Sequence, residues 1–189
     1  MLSGGNRAPT LRPARPEDAQ ALLTFGEILF AETDFLARGP GERARSVDEM
    51  RQIIESFAHL PGHLLLNAWI DSEPVGEIAV MGGQTTRNRH AATLGLGVLR
   101  AHWRRGVGSR LLAAAEAFAR TQRMHRLELT VMTHNAPALA LYRGAGFEVE
   151  GTKRRSLRVS GRDIDEVLMA KLLPADGLHI ADPIPRSVE

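Results

Sequence analysis

The segment Arg104-Arg105-Gly106-Val107-Gly108-Ser109 lies between an apolar run, Leu94 to Leu99, that reads as a strand and a second run, Val107 to Gln122, with helical spacing. A strand that turns through glycine into a helix leaves several backbone N–H groups without intrahelical acceptors, and the helix dipole adds positive character at the same point. Such a turn can cradle a phosphate. Glycine pairs alone are a weak sign: 18 glycines in 189 residues give about two G-x-G by chance, and the chain has four, starting at Gly39, Gly95, Gly106 and Gly144. The pair at Gly106 stands apart by its position and by its neighbours Arg100, Arg104, Arg105 and Arg110, which offer charge-assisted hydrogen bonds to a polyanion. The alternative is a turn with a solvated basic face.

Other reactive groups are sparse. The chain has no cysteine, which removes disulfides, thiolate nucleophiles and cysteine-ligated metals. His59 and His63 have metal-like spacing, but Pro61-Gly62 between them breaks any helix that would align the rings, so a loop and no metal site are expected. Glu77, Glu128 and His90, on or beside strand-like runs, are the candidates for removing a proton; strand carboxylates are as readily tied up in ion pairs.

With 43% hydrophobic and 24% charged residues, the chain describes one ordinary domain able to bury a core. Its net charge of +2 argues against general attraction to nucleic acid or membrane, so any basic function must be local. No apolar stretch approaches a bilayer span, and Met1 to Asn6 lacks the apolar core of a secretory signal, so a cytoplasmic protein is expected.

The elements that must position these groups follow from local rules. Thr10 to Pro13 reads as a short strand, and Pro16-Glu17-Asp18 opens a helix with an apolar stripe at Ala21, Leu22, Phe25, Ile28 and Leu29, fading near Ala31. After a polar loop, Glu32 to Arg45, Ser46 caps a second helix that ends at Pro61-Gly62. Leu64 to Ile70 and Val75 to Met81 read as a hairpin whose turn, Asp71 to Pro74, is longer than the tightest types. In Leu94-Gly95-Leu96-Gly97-Val98 both glycines face one side, which means either a bulge or something lying against the strand. The spacing of Val107, Leu111, Leu112, Ala115, Phe118 and Ala119 predicts the clearest helix. Leu127 to Val131 follows as a strand, Asn135-Ala136-Pro137 starts a helix that Gly146 stops, and Phe147 to Gly151 and Ile164 to Leu172 are strands around a basic loop, Lys153 to Arg162.

The element order, the Gly106 loop and the segment Asn135-Ala136-Pro137-Ala138-Leu139-Ala140-Leu141-Tyr142-Arg143-Gly144-Ala145-Gly146-Phe147 together resemble the GNAT superfamily of acetyl-CoA-dependent N-acetyltransferases. Glu150-Gly151 and Asp165-Glu166-Val167-Leu168-Met169 look like that family's closing strands, and the resemblance runs from about Leu11 to Leu173. It implies a single-domain α/β fold with a mixed, mostly antiparallel sheet of about seven strands, flanked by roughly four helices and with splayed central strands. The domain would occupy residues 10–173, between an N-terminal arm, 1–9, and a C-terminal tail, 174–189.

The resemblance also assigns a site. The family's pyrophosphate loop, Q/R-x-x-G-x-G/A, corresponds to Trp103-Arg104-Arg105-Gly106-Val107-Gly108, where tryptophan lacks the usual side-chain hydrogen bonding but the N–H groups from Arg104 to Ser109 remain. The pantetheine arm would insert between the strand ending at Leu99 and the one beginning near Leu127, pairing with backbone at Val98, Leu99 and Arg100. Gly95 and Gly97 would leave room for an amine, and the N–H of Val98 or Leu99 would face the oxyanion. Asn135 and Ala138 fall where the arm is held, although Asn135 also reads as a plain helix cap. Tyr142, the only tyrosine, falls near the cofactor sulfur as general acid, or else packs its ring on the sheet. Glu77 and Glu128 stand as bases, and Glu32, Asp34 and Glu42 would line an acidic acceptor pocket.

The expected activity is direct transfer of an acetyl group from acetyl-CoA to a primary amine of a small molecule such as an amino acid, polyamine or antibiotic-like amine. The alternatives are a protein N-terminal or lysine acetyltransferase and, given Trp103 and the absence of an evident base, a non-catalytic acyl-CoA-binding sensor. RNA contact through Arg154, Arg155, Arg158 and Arg162 ranks last, because that run lacks aromatic residues for stacking. The resemblance allows a homodimer, with no metal, nucleic acid or membrane partner.

Overall fold

The computed structural model describes residues 8–174, so the expected arm (1–9) and tail (174–189) lie outside the described residues except for 8, 9 and 174. Strands β1 (Thr10–Pro13), β2 (Leu64–Ile70), β3 (Glu73–Gly82), β4 (Ala91–Val98), β5 (Arg126–Met132), β6 (Glu148–Val159) and β7 (Arg162–Leu172) form one sheet in the order β1-β2-β3-β4-β5-β7-β6. Every neighbouring pair is antiparallel except β4 and β5. Helices α1 (Ala19–Ala31) and α2 (Val47–His59) cover one face, and α3 (Val107–Thr121) and α4 (Ala136–Gly144) cover the other.

Glycines at close helix contacts show the two faces. A Cβ on Gly76 of β3 would lie 3.0 Å from Val107 of α3, whereas one on Gly97 of β4 would lie 2.5 Å from Leu29 of α1. Gly97 pairs with Glu77, the next residue after Gly76, so the two contacts fall on opposite faces. Leu111, Ala115 and Ala119 from α3, with Leu127, Leu129 and Met169, fill one core, and Leu22, Met50 and Ile54, with Leu65 and Trp69, fill the second.

Local chemistry sets the helix starts as expected. The Ser46 hydroxyl accepts from the Glu49 N–H at 3.1 Å, and the Asn135 side chain accepts from the Ala138 N–H at 3.2 Å. Two readings of the strands need correction, and one open alternative is decided. The β2–β3 turn is tight, with β3 starting at Glu73 and both Asp71 (φ 48°) and Ser72 (φ 70°) left-handed, the geometry that suits strand twist in a two-residue hairpin. The glycines of β4 mark no bulge, because its register with β3 is unbroken. The stretch Lys153 to Arg162 is no loop: β6 runs to Val159 and turns at Ser160-Gly161, and some of its charges pair across the hairpin, Arg158 with Asp163 and Lys153 with Glu166. Among the described residues no helix is long and apolar enough to cross a membrane.

Candidate active site

The sheet opens at its centre. β4 and β5 pair only through Ala91, Ala92 and Thr93 against Arg126, Leu127 and Glu128. Beyond those residues each strand stays bonded to its other neighbour, β3 or β7, while their facing edges separate. The strands are parallel, so the mouth of this V lies at their C-terminal ends, from which the chain leads to α3 and α4.

Two bonds set the phase of β4. Gly83 donates to the Ala91 carbonyl at 2.9 Å, and Leu99 donates to Val75 at 3.0 Å. Successive residues alternate in direction, so the polar groups of Leu96 and Val98 point away from β3 and into the V. Of the two N–H groups considered for an oxyanion, Leu99 is therefore already paired within the sheet, and Val98 is the one that faces the gap. The Val98 carbonyl accepts a hydrogen bond from the Trp103 indole at 2.6 Å. Tryptophan thus supplies a donor after all, and it ties the glycine loop to the end of β4.

That loop has the geometry of an anion nest. Arg104 (φ 58°) and Gly106 (φ 77°) are both left-handed, the kind of backbone that lets neighbouring N–H groups converge on an anion. Gly106 caps α3 with no side-chain acceptor, and the first bond into the helix is from the Arg110 N–H to the Gly106 carbonyl at 3.1 Å. Among the described residues, no acceptor meets the N–H groups from Arg104 to Ser109. Nothing lies within 4 Å of a Cβ built on Gly106, so the loop backbone is open to a ligand. Arg104, Arg105 and Arg110 are exposed and make no ion pair among the described residues, and the Arg100 guanidinium stands 5.6 Å from the Trp103 ring. The donors and charge fit a diphosphate.

On α4, Ala138 is half-buried against the core and Tyr142 is 7% exposed, its ring edge-on to Phe147 at 5.9 Å between centroids. Its hydroxyl makes no hydrogen bond to a described residue, and burial pushes the phenol up to about 12. Tyr142 therefore keeps its proton at neutral pH.

The α1 face borders the V through Gly95 and Gly97. Leu29 covers Gly97, so that glycine seats a helix rather than leaving space, and only Gly95, with nothing within 4 Å of its would-be Cβ, presents bare backbone. The loop after α1 is tied to both sides of the mouth. Glu32 Oε1 accepts from the Arg100 N–H at 2.6 Å beyond β4, and Phe35 lies on His134 beyond β5 with ring centroids 5.4 Å apart. Asp34 is exposed nearby in sequence, whereas Glu42 folds its carboxylate onto the Gly39 N–H at 2.7 Å and closes its own turn.

The other carboxylates are engaged. Glu77 Oε2 accepts from Arg43 at 2.8 Å and from Asn67 at 3.0 Å, so taking up a proton there would disturb a half-buried ion pair. Glu128 accepts from Arg126, which also grips Glu150. His90 precedes β4 at the end opposite the mouth, 6.2 Å from His125, and is not brought to the site. His59 ends α2 and His63 lies beyond it against Phe57, as the Pro61-Gly62 break requires. Sequence reasoning missed Phe35 and His134, for which no short-range pattern exists.

A family model for the acetyltransferase (GNAT) family matches residues 30–147. The L-amino acid N-acetyltransferase AaaT of Escherichia coli is 36% identical over 119 residues, covering 62% of this chain and 74% of that protein. The N-alpha-acetyltransferase RimI of Mycobacterium tuberculosis is 47% identical over 68 residues, 36% of this chain and 41% of its own length. Among solved structures, an acetyltransferase of the GNAT family from Streptococcus pneumoniae superposes with a TM-score of 0.83 at 31% identity, covering 87% of this chain and 99% of its own. With the glycine nest, the splayed strands and these matches in agreement, the chain belongs to the acetyltransferase (GNAT) family.

Proposed function

We propose that the protein transfers an acetyl group from acetyl-CoA to the primary amine of a small molecule, with free L-amino acids as the first class to test. The observation that carries the small-acceptor reading is the double tie of the loop after α1, Glu32 to Arg100 and Phe35 to His134, which roofs the mouth of the V on the acceptor face. A roofed mouth suits a compact amine better than an extended polypeptide. The E. coli relative named for L-amino acids supports the same class.

The N–H groups from Arg104 to Ser109, with Arg104, Arg105 and Arg110, would hold the diphosphate, and the pantetheine arm would lie along the end of β4 that faces the V. Asn135 caps α4 and so orients that helix at the mouth. Bound acetyl-CoA supplies a thioester carbonyl whose carbon an amine lone pair can attack. The Val98 N–H is the donor placed for the carbonyl oxygen, where negative charge develops. Tyr142 keeps a proton to give to the departing thiolate, because its buried phenol stays protonated. An amine must shed its own proton before it attacks. Glu77 and Glu128 are both held by arginines, so we assign that step to solvent at the Gly95 opening rather than to either carboxylate. The acidic Glu32 and Asp34 favour a cationic acceptor.

Thiol release from acetyl-CoA, measured against a panel of L-amino acids, polyamines and N-terminal peptides, tests this reading. Turnover with one or more amino acids supports it. Turnover confined to peptides assigns the enzyme to protein N-termini, and acetyl-CoA binding without turnover on any amine makes it a sensor.

A further inference from the structure

Resting on the acetyl-CoA reading above, we propose that Glu32 is a latch competing with the pantetheine arm for the Arg100 amide, so that cofactor binding frees the Glu32 carboxylate while the Phe35–His134 contact keeps the loop after α1 over the mouth. The phase of β4 carries the idea. Leu99 donates to β3 and is extended (φ −57°, ψ 139°), so the next N–H, that of Arg100 at the start of the short helical turn Arg100–His102, is turned away from β3. A pantetheine arm running from the Arg104–Ser109 loop to the Val98 N–H would pass the end of β4, where Arg100 lies. The Arg100 N–H, however, already donates to Glu32 Oε1 at 2.6 Å, a short charge-assisted bond between residues 68 positions apart. One N–H serves one strong acceptor, so the carboxylate and a pantetheine carbonyl exclude each other there.

Glu32 is suited to leave. It is half-buried at the C-terminal end of α1, where a negative charge opposes the helix dipole, and it has no cationic partner among the described residues. Glu77, Glu116, Glu128, Glu150 and Glu166 each have one. Once displaced, its charge is free on the acceptor face.

The test is calorimetric. Coenzyme A and adenosine 3′,5′-bisphosphate, which lacks the pantetheine arm, are titrated into the wild type, Glu32→Gln and Glu32→Ala, with the Tm of each free protein as a check on folding. The latch predicts that Glu32→Ala binds coenzyme A about fivefold more tightly, with Glu32→Gln intermediate, while binding of the bisphosphate stays unchanged. Unchanged or weaker coenzyme A binding in a folded Glu32→Ala protein, or equal tightening of the bisphosphate, overturns the latch and leaves the acetyl-CoA reading standing. If the wild type binds neither compound, both fall.

Discussion

A Cβ built on Gly97 would sit 2.5 Å from Leu29 Cδ2, so α1 rests directly on the backbone of β4 at the edge of the V. Two residues earlier, Gly95 has nothing within 4 Å. The same residue type in one strand thus does two jobs, and alanine separates them. Gly97→Ala forces a buried leucine to move and is expected to cost roughly 1–2 kcal/mol of stability, with Leu29→Ala restoring part of it in the double variant. Gly95→Ala should leave stability unchanged or raise it by about 0.5 kcal/mol while lowering turnover, because the methyl group enters the amine's approach. Urea unfolding alongside steady-state kinetics checks both, and a loss of stability at Gly95 equal to that at Gly97 would remove the distinction.

Gly106 is left-handed and its amide faces an open nest, so an aspartate there adds backbone strain and a negative charge where a diphosphate must sit. Gly106→Asp is expected to weaken acetyl-CoA binding by roughly a hundredfold or more, with about 1 kcal/mol lost in stability. Isothermal titration decides it. Retained affinity would place the phosphates elsewhere.

Tyr142 is the only tyrosine, so its titration is visible without overlap. The phenolate absorbance near 295 nm should rise with a midpoint at about 12 rather than at the ordinary 10, because burial disfavours the charged form. The sign for stability follows from a folded value raised above the unfolded one. No stability is lost below pH 10, and on the order of 2–3 kcal/mol is lost as pH climbs from 10 through 12. Tyr142→Phe should abolish this component, hold acetyl-CoA affinity within about twofold and lower kcat by roughly tenfold or more. Unchanged kcat would make Tyr142 a packing residue.

Asp18, 9% exposed, accepts from Arg12 at 2.6 and 2.8 Å and from the Arg15 N–H at 2.8 Å, and Arg12 in turn lies 4.0 Å over the Trp69 ring. The Arg12 hydrogen bonds hold the Asp18 carboxyl below the usual carboxylate range, against the opposing pull of burial. A lowered folded value means that this stability is present above the unfolded pKa of about 4 and is lost as pH falls through the lower folded one. Asp18→Asn is expected to cost roughly 1–3 kcal/mol at pH 7 and to flatten the acid side of the stability profile. Equal acid sensitivity in the wild type and the variant would contradict this.

Several elements were legible in short windows of sequence because their causes are local. Ser46 and Asn135 announce helix starts, since a capping oxygen needs a donor only three residues away. The α3 face and the glycine nest could be read because helical periodicity and a left-handed glycine are properties of neighbouring residues. The resemblance carried by Asn135 to Phe147 extended this to the family, and the sheet has the mixed, centrally splayed form it implied. What only the tertiary structure decided are pairings across long stretches of chain and the direction of each backbone group. Whether Val98 or Leu99 faces the V depends on the phase of β4 against β3, and one residue of register reverses the answer. Glu32 meets Arg100, Phe35 meets His134 and Leu29 fills the space over Gly97 because the packing of α1 and its following loop on the sheet brings together residues whose own neighbours say nothing about one another.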